Sequence, residues 1–218
     1  IIRQLNQAGF IEYSRTGEST NKGGKRPILW KINKNFGYIL GMEVLADKIR
    51  YILTDFSGKI LMREKIAYTD HLKGELVEKA IIDIITNLQK QHSLSKEKIL
   101  GVGIAITGLV DTTGEIVEYS SNLELYKLPL KNILEEQLNV SVYLVNDANA
   151  GALSVKWNNP DIDFLPKNLV YITYNRISDT IGAGIILNDQ LYHGSSGRAG
   201  EIFDPLPDLT QIGKNMIQ

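Results

Sequence analysis

A short apolar run that ends abruptly in polar residues is the feature that most constrains the fold. Val140 to Val145 is predicted to form a buried strand, and Asn146, Asp147 and Asn149 then follow among small residues that open a helix. Ligands bind just beyond the carboxyl ends of the strands in an open α/β sheet. Asp147 is therefore predicted to lie at a ligand site. It either removes a proton from a bound hydroxyl or accepts its hydrogen bond.

The composition limits the chemistry that the chain offers. No cysteine is present among the 218 residues, which excludes disulfides, thiol catalysis and cysteine-ligated zinc within this sequence and suits a reducing cytosol. No apolar stretch reaches the roughly 18 residues of a membrane-spanning helix, so we expect no membrane span and a cytoplasmic location. The chain begins with Ile1 instead of a methionine, so we expect a fragment.

Charge is spread unevenly along the chain. Residues 1–36 carry seven lysines and arginines against Glu12 and Glu18, a net charge of +5, and the remaining residues therefore sum to −6. A basic segment on an acidic body predicts an anionic partner for that segment alone. A chance excess of solvated lysines is the alternative.

Residues 1–35 are predicted to be the C-terminal part of a winged helix. A helix over residues 1–8 ends at Gly9, and the strand Phe10–Tyr13, a polar loop and the strand Pro27–Ile32 follow. A purely structural hairpin is the alternative. Cationic side chains and close-approaching glycines in the loop are the candidate contacts to DNA phosphates or a minor-groove edge: Lys22, Gly23, Gly24, Lys25 and Arg26.

Residues 36–218 are predicted to form a second, α/β domain. Three strands between Tyr38 and Tyr68 precede an amphipathic helix over Glu75–His92 and a buried strand over Gly101–Ile106. A helix that starts at Pro129 and the strand that ends at Val145 follow. This order resembles one lobe of the actin-like ATPase fold, in which a hairpin between the first two strands holds phosphate. A second, incomplete lobe is expected to begin at about residue 168.

Several ordered motifs extend this resemblance to a family. They are Gly103–Asp111, Ser121–Leu123, Val145–Ala150 and Gly182–Asn188, the last continuing into Leu191–Gly194 and Gly197–Glu201. Over roughly residues 36–203 the chain resembles the ROK family of bacterial sugar kinases and sugar-responsive repressors related to the xylose repressor. The repressor branch carries a winged helix ahead of the kinase-like body.

The resemblance implies a sugar site. Asn122, Asn146, Asp147 and Glu201 are expected to contact the hydroxyls of a bound sugar, because amides and carboxylates offer the paired donors and acceptors that vicinal hydroxyls require. Asp147 corresponds to the general base of the kinases. The alternative is local: Asn146 and Asn149 cap the following helix, and Asp147 stabilises its N-terminus.

The phosphate-binding segments depart from the family's pattern. Where the kinases have Asp-x-Gly-Gly-Thr, this chain has Glu43–Asp47, so Leu45 and Ala46 crowd the phosphate position and Asp47 repels it. The second phosphate turn, Tyr174–Asp179, is also bulky and partly acidic. We therefore expect neither nucleotide binding nor a catalytic residue or cofactor.

A further departure follows Glu201. The family's Gly-Glu-x-Gly-His, which leads into a cysteine-rich zinc motif, is replaced by a sequence with Phe203 and Asp204 and no later cysteine, so no metal site is expected. The sugar pocket is altered here, or the ligand differs from the family's usual one.

Together these features predict a sugar-responsive transcriptional repressor of a carbohydrate-utilisation operon. It is expected to be a homodimer whose partners are operator DNA and a sugar effector. An ATP-dependent ROK sugar kinase is the alternative, and a regulator that no longer binds sugar is a third hypothesis.

Overall fold

A computed structural model describes residues 1–18, 26–91, 98–157, 166–175 and 180–202. It divides into two compact units, residues 1–146 and 147–218. The second unit begins at the helix that follows Asn146, and the expected start of a second lobe at about residue 168 stays a prediction.

The chain starts with a helix and a two-stranded antiparallel sheet. Helix α1 (Ile2–Gln7) ends at Ala8, and Gly9 follows with a φ of +82°. Strands β1 (Ile11–Thr16) and β2 (Ile28–Ile32) pair with each other. The predicted helix and the two predicted strands are confirmed in this order, although β1 continues to Thr16, inside the predicted loop. Residues 22–25, among the predicted DNA contacts, lie outside the described residues.

A five-stranded sheet forms the body of the first unit. Its first three strands form an antiparallel meander, and two further strands join the sheet after intervening helices. In chain order the elements are β3 (Tyr38–Val44), β4 (Lys48–Asp55), β5 (Ile60–Ala67), α2 (Glu75–Gln91), β6 (Ile99–Ile106), the short β7 (Leu109–Val110), β8 (Val117–Ser120) and β9 (Leu125–Leu128), α3 (Leu130–Leu138) and β10 (Val142–Asn146).

The five strands lie in the order β10-β6-β3-β4-β5. β10 and β3 run parallel to β6, whereas β4 and β5 continue antiparallel. Fully buried aliphatic side chains from the strands and helices form one core, including Leu40, Ile49, Ile81, Ile104 and Leu134. This packing confirms the mixed α/β prediction.

Two details of the first unit differ from the sequence prediction. Pro129 is the residue before α3 and not its first residue, which leaves Leu130 as the first helical position. β7, β8 and β9 form a separate three-stranded sheet that was not predicted. Strands of two to four residues are too short to show an alternating pattern, which explains why they were missed.

The second unit consists of one helix and an antiparallel sheet. The elements are α4 (Asp147–Trp157), β11 (Leu169–Asn175), β12 (Thr180–Leu187), β13 (Gln190–Leu191) and β14 (Glu201–Ile202). β12 pairs with the other three strands. The predicted turn at Asn188–Asp189 is confirmed, since φ is +50° and +69° at these residues, as a tight two-residue hairpin turn requires. No helix of the described ranges is long and apolar enough to cross a membrane.

Candidate functional site

Three parallel strands of the first unit end at the same level. Asn146, the last residue of β10, lies opposite Ile106 at the end of β6, and Ile106 lies opposite Val44 at the end of β3. Asn146 therefore occupies the carboxyl edge of the sheet, where ligands bind in open α/β folds. The hairpin Leu45–Asp47 leaves the same edge, two strand spacings or about 10 Å away.

The Asn146 side chain is tied to the loop that follows β6. Its Nδ2 donates a hydrogen bond to the carbonyl of Gly108 at 2.9 Å. This loop lies tightly on β8, because a Cβ at Gly108 would be only 2.5 Å from the carbonyl oxygen of Tyr119 and 2.7 Å from the Ser120 Cβ. Asn122 follows in the turn between β8 and β9. Asn146 is thus tied directly to the Gly108 loop, whereas Asn122 lies two residues beyond Ser120, which this loop approaches.

Glycines bring the two predicted carboxylates of the second unit together. A Cβ at Gly184 would lie 2.2 Å from the carbonyl oxygen of Ala148, so the first turn of α4 rests directly on β12. On the same strand Gly182 pairs with Glu201 of β14. Asp147 begins α4, and this packing places its carboxylate close enough to act electrostatically on Glu201.

The environment of Glu201 opposes its ionisation. Burial raises the pKa of the Glu201 carboxyl above its ordinary value, the negative charge of Asp147 raises it further, and Arg198 acts in the opposite direction. Asp147 Oδ1 accepts a hydrogen bond from the Ala148 N–H at 2.8 Å. Two close carboxylates offer several acceptor positions to neighbouring hydroxyl groups.

This electrostatic cost gives a pH-dependent stability prediction. The pKa of Glu201 is higher in the folded protein than in the unfolded chain. The contribution of Glu201 to the free energy of unfolding is therefore fully present below the pKa of the unfolded state, and it is lost as the pH rises through the pKa of the folded state. Glu201→Gln is therefore expected to raise the melting temperature at pH 7, and to change it little at about pH 3, which lies below the ordinary glutamate pKa, so that the carboxyl is largely protonated in both the folded and the unfolded state. Scanning calorimetry at the two pH values measures this, and equal shifts at both would contradict it.

The hairpin Leu45–Asp47, predicted to correspond to the phosphate loop of the kinases, has several backbone groups hydrogen-bonded within the protein. Leu45 N–H donates to the carbonyl of Lys48 at 3.0 Å. The carbonyls of Ala46 and Asp47 accept hydrogen bonds from Leu72 and Tyr68 at 2.7 and 2.8 Å. These hydrogen bonds close the turn between β3 and β4 and hold it against the segment that follows β5.

A carboxylate charge occupies this hairpin. Lys48 Nζ lies 2.7 Å from Asp47 Oδ2, and this hydrogen bond is the main cause that lowers the pKa of Asp47; burial opposes it, while the charge of Lys48, the residue's own backbone N–H and His71 assist. Asp47 is therefore ionised at neutral pH. The hairpin therefore carries a carboxylate that is paired with an ammonium group.

The predicted site residues fall into two sets. Asn122 and Asn146 belong to the first unit, and Asp147 and Glu201 belong to the second; all four are half-buried. Of the predicted DNA contacts, Arg26 is described and exposed. Residues 176–179, part of the predicted second phosphate turn, and residues 203 and 204 lie outside the described residues. No cluster of three or more potential metal ligands is found within the described ranges.

Sequence reasoning missed the partners that position the site. The sequence did not identify the carbonyl of Gly108 as the acceptor for Asn146. It also did not identify Gly182 and Gly184 as the positions of β12 against which α4 packs. The two glycines inside a predicted strand were a usable signal, because glycine in a strand often marks a close approach of another backbone.

Proteins of known function have sequences similar to this chain. The xylose repressor of Bacillus subtilis (strain 168) is 35% identical over 186 residues, which are 85% of this chain and 47% of the relative. The chain thus spans about half the length of the curated relatives it matches.

Solved structures share the fold. A ROK family transcriptional regulator, described as a homologue of the E. coli MLC protein, superposes with a TM-score of 0.73 over 95% of this chain and 52% of the other, at 22% identity. A ROK family glucokinase from Streptomyces griseus, in complex with glucose and AMPPNP, gives a TM-score of 0.61 at 27% identity over 76% of this chain and 49% of the other. The ROK family model matches residues 39–203. The chain therefore belongs to the ROK family.

Proposed function

We propose that this chain is the sensor body, with part of the DNA-binding head, of a sugar-responsive transcriptional repressor of a carbohydrate-utilisation operon. The hairpin Leu45–Asp47 supports this proposal, because the carboxylate of Asp47, paired with Lys48, lies where the family resemblance predicts the phosphate loop of the kinases. A relative named as a xylose repressor supports D-xylose as the first effector to test.

Four residues are proposed to recognise the sugar. The amides of Asn122 and Asn146 offer donors as well as acceptors, and the carboxylates of Asp147 and Glu201 accept hydrogen bonds from hydroxyls. Recognition of this kind discriminates between epimers, because a misplaced hydroxyl leaves buried polar groups unpaired. Asp147 is the counterpart of the kinase base, with its proton-abstracting role unused.

The basic N-terminal segment is proposed to contact operator DNA. Residues 22–26, which lie between β1 and β2 in the sequence, supply the glycines and cations, and Arg26 is exposed beside β2. Phosphate contacts of this kind make the affinity for DNA fall steeply with salt. We further propose that the repressor acts as a cytoplasmic homodimer, since symmetric operators are read by symmetric proteins.

A phosphorylation assay separates the repressor from a sugar kinase. The full-length protein that contains this chain is incubated with ATP, Mg²⁺ and a panel of hexoses and D-xylose, and ADP release is followed with a coupled assay. We expect no sugar-dependent ADP release above the background without protein. Leu45 would crowd the phosphate groups of ATP in this hairpin, and the negative charge of Asp47 would repel them. Sugar-dependent turnover at an ordinary enzymatic rate of about 1 per second or more would favour the kinase.

A further inference from the structure

Three phenylalanines from separate segments pack together where the basic N-terminal segment, residues 1–35, meets the five-stranded sheet. Phe10 precedes β1, Phe36 lies between β2 and β3, and Phe56 lies in the turn between β4 and β5. The ring centroids are 4.6 Å apart for Phe10 and Phe36, 4.9 Å for Phe36 and Phe56, and 5.8 Å for Phe10 and Phe56. These are normal distances for aromatic rings in direct contact.

The segment between β2 and β3 is fixed to the end of α1. Asn33 Nδ2 donates to the carbonyl of Gly9 at 2.9 Å, and Asn33 N–H donates to the carbonyl of Phe10 at 3.0 Å. Phe36 N–H in turn donates to the carbonyl of Asn33 at 3.0 Å. The link is therefore a hydrogen-bonded turn and not an extended tether.

The sheet side of the contact is equally constrained. The buried carboxylate of Asp55 accepts hydrogen bonds from Ser57 N–H at 2.9 Å and from Lys59 N–H at 3.1 Å, which shapes the turn that presents Phe56. Phe56 N–H donates to the carbonyl of Lys34 at 3.3 Å. A Cβ at Gly37 would lie 2.5 Å from Leu100 Cγ, so the backbone packs closely against the Leu100 side chain just before β3.

We propose that Phe10, Phe36 and Phe56, here called the phenylalanine joint, make residues 1–35 move as one body with the five-stranded sheet and thereby transmit the sugar response to DNA. This inference rests on the proposed function. A ligand changes DNA affinity only if the sensor state and the position of the DNA-binding segment are coupled. A loose tether would let the segment bind DNA regardless of the sensor, whereas a rigid joint carries each shift of the sheet to it.

The joint is tested in the full-length protein with Phe56→Ala. Operator affinity is measured by fluorescence anisotropy with and without D-xylose, and xylose affinity is measured by calorimetry. Coupling in the unmodified protein is expected to lie in the common range of roughly 5- to 150-fold. Phe56→Ala is expected to reduce it below about threefold, while xylose affinity and sugar-free operator affinity each stay within about threefold, because Phe56 belongs to neither proposed contact set.

Leu61→Ala is the matched control, since it removes an exposed apolar side chain from the strand that follows the same turn. If Phe56→Ala does not fold, Asn33→Ala removes the bond to Gly9 and replaces it in the assay. Hydrogen exchange at the amides of Asn33 and Phe56 must accelerate in the joint variant alone. Full coupling with accelerated exchange would overturn the joint. Absence of xylose or operator binding in the unmodified protein would instead overturn the proposed function.

Discussion

Asp147→Asn is expected to weaken sugar binding roughly 10- to 100-fold. A hydrogen bond that involves a charged group contributes about 1.5 to 3 kcal/mol, and each 1.4 kcal/mol changes a dissociation constant tenfold. Asparagine keeps the oxygen that accepts from Ala148 N–H at the start of α4, but it removes the charge and one acceptor. Calorimetric titration of the full-length variant with D-xylose measures the loss.

Asp189→Asn is the matched control for this change. Asp189 is also an acid of the second unit, it forms an ion pair with Lys156 at 2.7 Å, and its turn tolerates asparagine because φ is positive there. Its xylose affinity is expected to equal that of the unmodified protein. Equal losses in both variants would indicate a general effect of charge, and no loss at Asp147 would remove this residue from the sugar site.

Gly184→Ala is expected to destabilise the second unit by about 2 to 3 kcal/mol, a typical cost of overpacking. The added Cβ would lie 2.2 Å from the carbonyl oxygen of Ala148 and 2.7 Å from the Ala152 Cβ, so α4 must move away from β12. That movement also shifts Asp147 relative to Glu201. Urea unfolding followed by circular dichroism measures the change in the free energy of unfolding.

Gly103→Ala provides the comparison for Gly184→Ala. Gly103 also lies inside a strand and has no positive φ, but a Cβ there would meet nothing within 4 Å. Its effect is expected to stay within about 1 kcal/mol, since the substitution chiefly restricts the unfolded chain. If both variants unfold at the same urea concentration, the close packing of α4 on β12 does not contribute to the stability of the second unit as expected.

Much of the fold could be predicted from local patterns. The amphipathic period of α2 and the apolar run of β6 were sufficient for their type and position, and the Asn188–Asp189 turn followed from its residues. The sheet order was not available from periodicity, because it depends on pairings between distant strands. The resemblance to an actin-like lobe supplied the order of the elements along the chain, whereas the strand order β10-β6-β3-β4-β5 within the sheet is known from the structure alone.

The candidate site divides in the same way. Asn146 and Asp147 could be found from the sequence because they end a buried strand, whereas Asn122 and Glu201 depended on the family resemblance alone. The approach of Asp147 to Glu201 requires the pairing of Gly182 with Glu201 and the glycine bed under α4. The phenylalanine joint was equally inaccessible, since its three residues come from separate segments that only the tertiary fold brings together.

We propose that this kinase-like fold turns sugar binding into a change of DNA affinity. The decisive measurement is fluorescence anisotropy of labelled operator DNA, titrated with the full-length protein with and without D-xylose. Xylose is expected to weaken operator binding roughly 5- to 150-fold at constant salt. An operator affinity that is the same with saturating xylose as without it would rule out a sugar-responsive repressor.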